Sequence, residues 1–339
     1  MNPALLIRLR PTTPWRIGPD TGARDQASAI LHSDALYSAV CLAFEQLGLL
    51  EEWLNATAKA FGEPAVRFSS CFPWQRGFLY APPPARLWPP AEGPSSRVRW
   101  KGATLLPTSV IAGLLRGQLP AEDQWTVDGH SGCLIPVNSR SASGPFRLLT
   151  RSCAAVDRVT GGLAEPHLTT CVQFAPASGL WCAAQFSNPS TYAVWAPKLQ
   201  AAFRLLADSG LGGLRSRGFG RSRTPDFQPG ELAHLLFGGD AVPAARKAWW
   251  LLSLYSPADG DAVDWSSGDY QLIQRAGRTG ASRSPGREKL SSRMVAEGSV
   301  LAGDALRGAV RNVAPPGCPH PIYRAGYALA ISIPWPVNA

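Results

Sequence analysis

A helix predicted over residues 197–209 leads directly into the most informative stretch of the chain, Ser209-Gly210-Leu211-Gly212-Gly213-Leu214-Arg215-Ser216-Arg217-Gly218-Phe219-Gly220-Arg221-Ser222-Arg223. Five glycines stand among four arginines here. Glycine lets a backbone approach another chain closely and adopt positive φ, and exposed N–H groups in such a loop can hold phosphates. The arginines add a planar fork for phosphate oxygens, and Phe219 offers a face on which a base can stack. The stretch predicts a nucleic-acid-binding loop, with a flexible, solvated basic loop as the competing interpretation.

Two better-known phosphate-binding motifs are excluded by the position of these glycines. The motif G-x-x-x-x-G-K-[ST] is absent, and the glycines follow a helix instead of opening one after a strand. The dinucleotide fingerprint fails for the same reason. No cofactor is therefore predicted.

A second basic stretch extends from Arg275 to Lys289 and is rich in Gly and Ser. Its composition is typical of a disordered linker. It is equally typical of a mobile RNA-contact loop that becomes ordered on binding. Both interpretations stay open.

His32 directly precedes a helix predicted over residues 34–47, in which apolar residues recur on one face. Ser33 or Asp34 is the predicted N-cap, and Gly48 the predicted stop. Because a helix N-terminus favours an anion, His32 and Ser33 are candidates to contact a phosphate. A capping or buried, hydrogen-bonded histidine is the competing interpretation. No G-x-S-x-G, H-E-x-x-H or Asp-rich metal signature is present, so neither a catalytic group nor a metal is predicted.

Strands and amphipathic helices alternate along the rest of the chain. Strands are predicted over residues 4–10, 66–72, 77–80, 180–186, 248–255, 270–274 and 327–333, and further helices over 51–61 and 107–115. Residues 138–174 are rich in Ser, Thr, Gly and Arg between apolar ends, and residues 156–162 indicate a strand that leads into a Gly turn, which a long protruding hairpin fits best. The composition alone slightly favours an edge hairpin or a disordered loop. This order is an α+β pattern with two ferredoxin-like units.

The overall composition is that of a folded, basic protein. Hydrophobic residues make up 45% of the 339 residues, and the formal net charge is +9. Such a charge favours an anionic partner, most commonly nucleic acid, although a general bias toward arginine gives the same balance. Seven cysteines without a C-x-x-C pair argue against a zinc ribbon or a disulfide framework. The N-terminus is too short and polar for a signal peptide and no stretch approaches a membrane span, so we expect a cytoplasmic protein.

Several segments taken together resemble RAMP-superfamily subunits of type III-A CRISPR (Csm) complexes. In chain order these segments are Trp15–Gly18, Leu31–Val40, Phe68–Trp74, Leu79–Pro84, Val156–Thr160, Gly210–Gly220, Leu252–Tyr255, Glu297–Ser299 and His320–Tyr327. Their order and spacing are similar to those of the subunit that binds the 5′ handle of the guide RNA (crRNA), and they cover essentially the whole chain. Leu214 and Arg278 depart from the family, which often has a basic and an aromatic residue at these respective positions.

The resemblance implies two ferredoxin-like (RRM-like) domains, residues 1–225 and 226–339. The first would carry a protruding β-hairpin, the thumb (about 138–174), and the Gly-rich loop (209–223). The protein would be a non-catalytic, RNA-binding subunit that holds the crRNA 5′ handle and marks the handle–guide boundary with its thumb. It would pack on the large polymerase-cyclase subunit and on a backbone RAMP subunit, with target RNA nearby. The RNA contacts expected on this basis are Arg16, His32, Ser33, Arg151, Arg158, Gly210, Gly212, Gly213, Arg215, Ser216, Arg217, Gly218, Phe219, Gly220, Arg221 and Arg278.

Two other functions stay open. The first is a RAMP endoribonuclease that cuts precursor crRNA, with His32 as the general base beside the attacking 2′-OH. The second is a protein-interaction scaffold that does not touch RNA. Cleavage of repeat RNA would identify the first, and the absence of salt-dependent handle binding the second.

Overall fold

The computed structural model describes residues 2–18, 23–90, 98–137, 143–155, 159, 165–238, 248–279 and 286–334. The α-helices in these residues are α1 (Ser33–Gln46), α2 (Leu50–Ala56), α3 (Thr108–Leu115), α4 (Pro189–Ser209) and α5 (Leu232–Phe237). The strands are β1 (Pro3–Leu9), β2 (Val66–Phe68), β3 (Phe72–Gln75), β4 (Phe78–Ala81), β5 (Leu106–Pro107), β6 (Trp125–Val127), β7 (Leu134–Pro136), β8 (Phe146–Ala155), β9 (Glu165–Phe174), β10 (Ser178–Phe186), β11 (Asp226–Glu231), β12 (Ala248–Leu251), β13 (Val263–Asp269), β14 (Leu272–Arg275), β15 (Ser292–Val295), β16 (Val300–Gly303), β17 (Gly308–Asn312), β18 (Tyr323–Tyr327) and β19 (Ala330–Ile333).

The N-terminal unit has the ferredoxin-like topology that the sequence predicts. In its seven-stranded sheet, β11, β1, β10 and β3 lie side by side in that order, and β2 also pairs with β10. These pairs are antiparallel. Because α1 follows β1 and α4 connects β10 to β11, the elements alternate as in a βαββαβ unit. The predicted α+β fold is thus confirmed.

The C-terminal unit contains a four-stranded antiparallel sheet in the order β13-β16-β12-β19. Counted from β12 as its first strand, the order is 2-3-1-4, which is again the ferredoxin-like arrangement. In the described residues from 248 to 334 no helix covers this sheet. The hairpin β17–β18 stands between the third and fourth strands instead, where a ferredoxin-like unit has its second helix.

The two units share their cores on both faces of the N-terminal sheet. On one face, Leu36 of α1 and Phe203 of α4 are fully buried in a cluster that also includes Ala325 of β18. On the other face, Trp181 of β10 is buried in a cluster that includes Trp250 of β12. The halves are therefore packed together as one body, and helix α1 lies between them.

The predicted thumb is present as a separate two-stranded sheet. Strands β8 and β9 pair along their whole length, from Phe146 opposite Phe174 to Ala155 opposite Glu165. Phe146 and Val172 at its base are buried, whereas Arg151 and Pro166 farther out are exposed. Burial that decreases along a paired ribbon shows a hairpin that projects from the body of the protein.

Three predicted element boundaries are corrected. Helix α4 begins at Pro189, eight residues before the predicted start, because the Asn188 side chain accepts a hydrogen bond from the Thr191 N–H (2.8 Å) and caps it there. Pro197 lies inside the helix. Helix α2 ends at Ala56, and the last predicted strand is divided into β18 and β19.

Two further points concern the domains and the helices. The division predicted at residue 225 stays a prediction, and β11, which directly follows it, pairs with β1 of the N-terminal sheet. In the part of the chain that the structure describes, no helix combines the length and apolar character that crossing a membrane requires.

Candidate nucleic-acid interface

The Gly-rich loop is held in place by one extended segment, Pro14–Arg16. The Gly213 N–H donates to the carbonyl of Arg16 (2.7 Å), and the Gly220 N–H donates to the carbonyl of Pro14 (3.0 Å). The loop also closes on itself, because the Leu211 N–H donates to the Gly220 carbonyl (3.0 Å). These bonds make the loop an ordered surface, which argues against the flexible, solvated alternative.

The glycines of the loop fall into two groups. Gly210, Gly212 and Gly220 have positive φ and pack so tightly on the protein's own backbone that an added Cβ would lie 2.6 Å or less from a carbonyl oxygen. Gly218 also has positive φ (+82°), but a Cβ there would meet nothing within 4 Å. The first group therefore shapes the loop, and Gly218 is open to an incoming chain.

The polar side chains of the loop face outward. Arg215, Ser216 and Arg217 form a single exposed 3-10 turn, which Leu214 opens and Gly218 closes in left-handed conformations. Arg221 is exposed just beyond it, and Phe219 is half-buried. The structure thus brings together the arginines that the sequence predicts to bind RNA.

Arg16 has a different place from the one predicted. Its side chain is buried, and its guanidinium donates to the carbonyls of Ala23 and Gln26. Burial lowers the pKa of this guanidinium. These bonds hold the segment that supports Gly213, which favours a positioning role for Arg16; direct contact with RNA stays a prediction.

The same short segment supports the thumb on its opposite edge. The Trp15 N–H donates to the carbonyl of Val172 (2.9 Å), and the Val172 N–H donates back to Trp15 (2.8 Å). The buried Trp15 ring lies edge-on to Phe174, with centroids 6.1 Å apart. The base of the thumb and the Gly-rich loop are therefore neighbours joined through the segment Pro14–Arg16. Arg151 is exposed on β8, and Arg158 lies outside the described residues.

The start of α1 faces the C-terminal unit. His32, which is the N-cap in place of the predicted Ser33 or Asp34, lies 2.8 Å from the Glu297 carboxylate through Nδ1. Ser70 donates a hydrogen bond to the same carboxylate oxygen. Burial opposes the imidazolium charge of His32, but the carboxylate outweighs burial and raises its pKa. Ser33 is buried, and its hydroxyl accepts from the Leu254 N–H (3.0 Å). Both groups are engaged inside the protein, which favours structural roles.

A cleft of about 250 Å³ lies beside the Gly-rich loop. One wall is α1, the second is the loop, and the third is formed by the second basic stretch and β18. At its floor, buried Arg275 holds the buried Asp34 carboxylate through two hydrogen bonds of 2.9 and 3.1 Å, and Arg324 Nε lies 3.5 Å from the same carboxylate. The cleft thus joins the two basic stretches that the sequence analysis singled out separately.

Arg278 lies on the exposed side of the second basic stretch. Its guanidinium pairs with Glu288 at 3.0 Å, and both side chains are largely exposed. The fold brings this residue near Gly277 and Lys289 at the rim of the cleft, because the Lys289 N–H donates to the Gly277 carbonyl (2.8 Å). An exposed ion pair of this kind contributes little to stability, so Arg278 can exchange its partner for a phosphate.

The chain has two ferredoxin-like units, a hairpin thumb and a Gly-rich loop, which is the arrangement that the resemblance to RAMP-type CRISPR subunits implies. Residues 244–333 match the model of the CRISPR Csm4 C-terminal domain family. The predicted resemblance to type III-A Csm subunits is confirmed. Residues 244–333 are thus similar to the Csm4 C-terminal domain.

Solved structures match the chain over its whole length. A chain of the Csm1–Csm4 cassette in complex with cA4 has a TM-score of 0.60 at 18% identity, with 99% of this chain and 100% of that chain covered. A chain of the Csm3–Csm4 subcomplex of the type III-A interference complex has a TM-score of 0.60 at 15% identity, with both chains covered completely. At these identities the likeness is one of fold. No curated protein sequence matches the chain.

Sequence reasoning missed the floor of the cleft. Asp34, Arg275 and Arg324 are far apart in sequence and meet only in the folded chain. The available signal was weak: Asp34 stands where a helix-capping residue is common, and Arg324 stands among Tyr323, Ala325 and Gly326 of β18. Charged residues in such positions are almost never fully buried unless they are paired.

Proposed function

We propose that this chain acts as the Csm4 subunit of a type III-A CRISPR interference complex and binds the 5′ handle of crRNA with its Gly-rich loop. The observation that carries the proposal is the rigid presentation of Arg215 and Arg217 on an exposed turn beside a cationic cleft. Guanidinium groups held in fixed positions can donate paired hydrogen bonds to phosphate oxygens and to the edges of unstacked bases. Gly218, with open space in front of its Cα, lets the RNA backbone approach between them.

The protein partners that we propose are those of the structurally similar Csm4 chains. The solved structures pair Csm4 with Csm1 in one assembly and with Csm3 in another. The proposal therefore includes docking of this chain to the large polymerase-cyclase subunit, Csm1, and to the backbone subunit, Csm3. The thumb, which shares the support of Trp15 with the Gly-rich loop, would mark the point where handle ends and guide begins, near the target RNA.

The proposed subunit is not itself a nuclease. A general base must be unprotonated near the working pH. The carboxylate of Glu297 raises the pKa of His32, which favours the protonated imidazole instead. His32 is therefore a poor base in this setting. Incubation of the purified chain with repeat RNA tests the point: cutting that disappears in His32→Ala would establish the endoribonuclease alternative.

RNA binding is tested with the double variant Arg215→Ala/Arg217→Ala. The probe is a fluorescently labelled single-stranded RNA of repeat-derived sequence, and the readout is its anisotropy. We expect a loss of roughly tenfold or more in affinity, since each arginine that contacts a phosphate or base supplies a charge-assisted hydrogen bond. The matched control is Arg99→Ala, an exposed arginine between Val98 and Trp100 of the opposite core. Equal affinity of the double variant and the control would refute the proposal.

A further inference from the structure

The cleft between the Gly-rich loop and the C-terminal unit has the chemistry of a binding site in its own right. Among the described residues that line it, four side chains are cationic, namely Arg215, Arg275, Lys289 and Arg324, and Asp34 is the acidic one. Three of these, Asp34, Arg275 and Arg324, are buried and bonded to one another at its floor, and Arg324 also donates to the carbonyls of Arg275 and Ala276. The positive charge offered to a ligand therefore comes mainly from Arg215 and Lys289. A concave site lined mainly by one sign of charge concentrates the field and attracts the opposite charge. The cleft therefore favours an anionic ligand.

The walls of the cleft add a second, apolar requirement. Helix α1 contributes the small side chains of Ala35, Ser38 and Ala39, which leave room above the helix, and the loop contributes Leu211. Tyr323, half-buried on β18, stands at the side. Flat apolar space beside an aromatic ring suits a nucleobase. Its volume of about 250 Å³ lies just below the roughly 300–1,000 Å³ of sites for drug-sized ligands, which limits the occupant to about one nucleotide.

We propose that this cleft takes one nucleotide of the bound RNA, with its base turned in against Tyr323 and its phosphate on the side of Arg215 and Lys289. The proposal rests on the proposed function, since it specifies how the RNA on the Gly-rich loop continues onto the protein. It adds a contribution from the C-terminal unit that the loop alone does not provide. Ser38 of α1 contributes a hydroxyl group to the lining, where it is placed to meet the edge of the base.

The test is a scan with abasic RNA. A labelled short single-stranded RNA of repeat-derived sequence is prepared with each base removed in turn, and its affinity for the full-length chain is measured. We expect one abasic position to weaken binding roughly tenfold, within the range that stacking of one base supplies, and the other positions to change it much less. In Ala39→Trp, which fills the cleft, this difference between abasic and intact RNA should vanish.

Two controls keep the result interpretable. Ala193→Trp adds the same bulk to an exposed position of α4 more than four turns from Gly210 and should leave the abasic profile unchanged. Tyr323→Leu keeps apolar volume but removes the ring, so it should reduce the single-position penalty even if Ala39→Trp does not fold. A flat abasic profile with tight binding of intact RNA would overturn the cleft proposal alone. Absence of binding to intact RNA would overturn the proposed function with it.

Discussion

At the scale of single residues, substitution of Arg217 shows whether the Gly-rich loop contacts a base or only a phosphate of the RNA. Arg217 is exposed on the turn that Gly218 closes. We expect Arg217→Ala to weaken binding of handle RNA by about 1–3 kcal/mol if the guanidinium makes a bidentate contact with a base. A contact with phosphate alone would cost less and would lower the slope of log affinity against log salt by about one. Titrations at several salt concentrations distinguish the two, and an unchanged affinity and slope would exclude both contacts.

The pair of His32 and Glu297 predicts how stability depends on pH. The pKa of His32 is raised above its ordinary 6.5, so its contribution is complete below that pH and is lost as the pH rises through the raised pKa. Burial opposes the charge of Glu297, but His32 and Ser70 outweigh it and lower its pKa below 4.5. Its contribution is complete above 4.5 and is lost as the pH falls through the lowered pKa. The pair should therefore stabilise the fold most between these limits.

Urea unfolding across this pH range measures the effect. Arg275 and Asp34 also act on the charge of His32, so they are left unchanged. His32→Ala should cost about 3–5 kcal/mol between pH 4.5 and 6.5, because it leaves the buried Glu297 without its cationic partner. Glu297→Gln should flatten the pH dependence. If the free energy of unfolding depends on pH in the same way in the wild type and in Glu297→Gln, the pair does not control that dependence.

At the scale of elements, two glycines of the Gly-rich loop provide a matched comparison. Gly218 and Gly220 share a φ of +82°, but an added Cβ at Gly220 would lie 2.1 Å from the Leu211 carbonyl oxygen, whereas Gly218 is open. Gly218→Ala should cost only the left-handed strain, about 1 kcal/mol. Gly220→Ala should cost clearly more, since backbone must move. Thermal unfolding of both variants checks this, and equal melting temperatures would contradict the described packing of the loop.

A deletion within the thumb should change the RNA at the handle–guide boundary without changing the stability of the protein. The base of the thumb is held by the bonds between Trp15 and Val172, which lie outside residues 157–166. Deletion of 157–166 should therefore leave the melting temperature nearly unchanged. If the thumb is the wedge proposed above, the nucleotide at the handle–guide boundary of the assembled complex should become stacked and protected, because the deletion removes the part of the hairpin that would unstack it. Chemical probing measures this, and equal reactivity with and without the hairpin would rule out the wedge.

The elements also show how far sequence reasoning reaches. The apolar periodicity of α1 and the apolar run of β1 predicted both elements within about a residue, because α1 buries one face against the core and β1 is buried on both faces. Helix α4 begins eight residues before the predicted start because Asn188 caps it there, and Pro197 lies within the helix. The burial of Arg16 depends on the carbonyls of a loop that folds back onto it, and no local pattern announces such a contact.

At the scale of the whole molecule, the shared cores predict cooperative unfolding. Trp181 and Trp250, from the two units, belong to one buried cluster, and Tyr327 of β18 donates a hydrogen bond to the carbonyl of Thr57 (3.0 Å). Splitting the chain would expose both surfaces to water. We expect a single urea transition for the full chain and no stable fold for residues 1–238 alone. Two resolved transitions by tryptophan fluorescence would show that the units are independent.

The pairing of the two units also explains why the cleft escaped sequence reasoning. Its walls come from α1, the Gly-rich loop and β18, and their meeting depends on how the two ferredoxin-like units pack. Periodicity identifies each unit, but nothing in a local pattern specifies that packing. Asp34 and Arg275, which are 241 residues apart, therefore became recognisable as partners only in the fold.

The central claim is that this chain holds the repeat-derived end of crRNA through its Gly-rich loop. The most direct measurement is to co-express the chain with Csm1, Csm3 and a CRISPR array, purify it, and sequence the 5′ ends of the RNA that accompanies it. We predict RNA with one fixed 5′ end in the repeat, and loss of that RNA from the Arg215→Ala/Arg217→Ala chain but not from Arg99→Ala. Recovery of no RNA, or of RNA with scattered 5′ ends that the double variant retains, would contradict the claim.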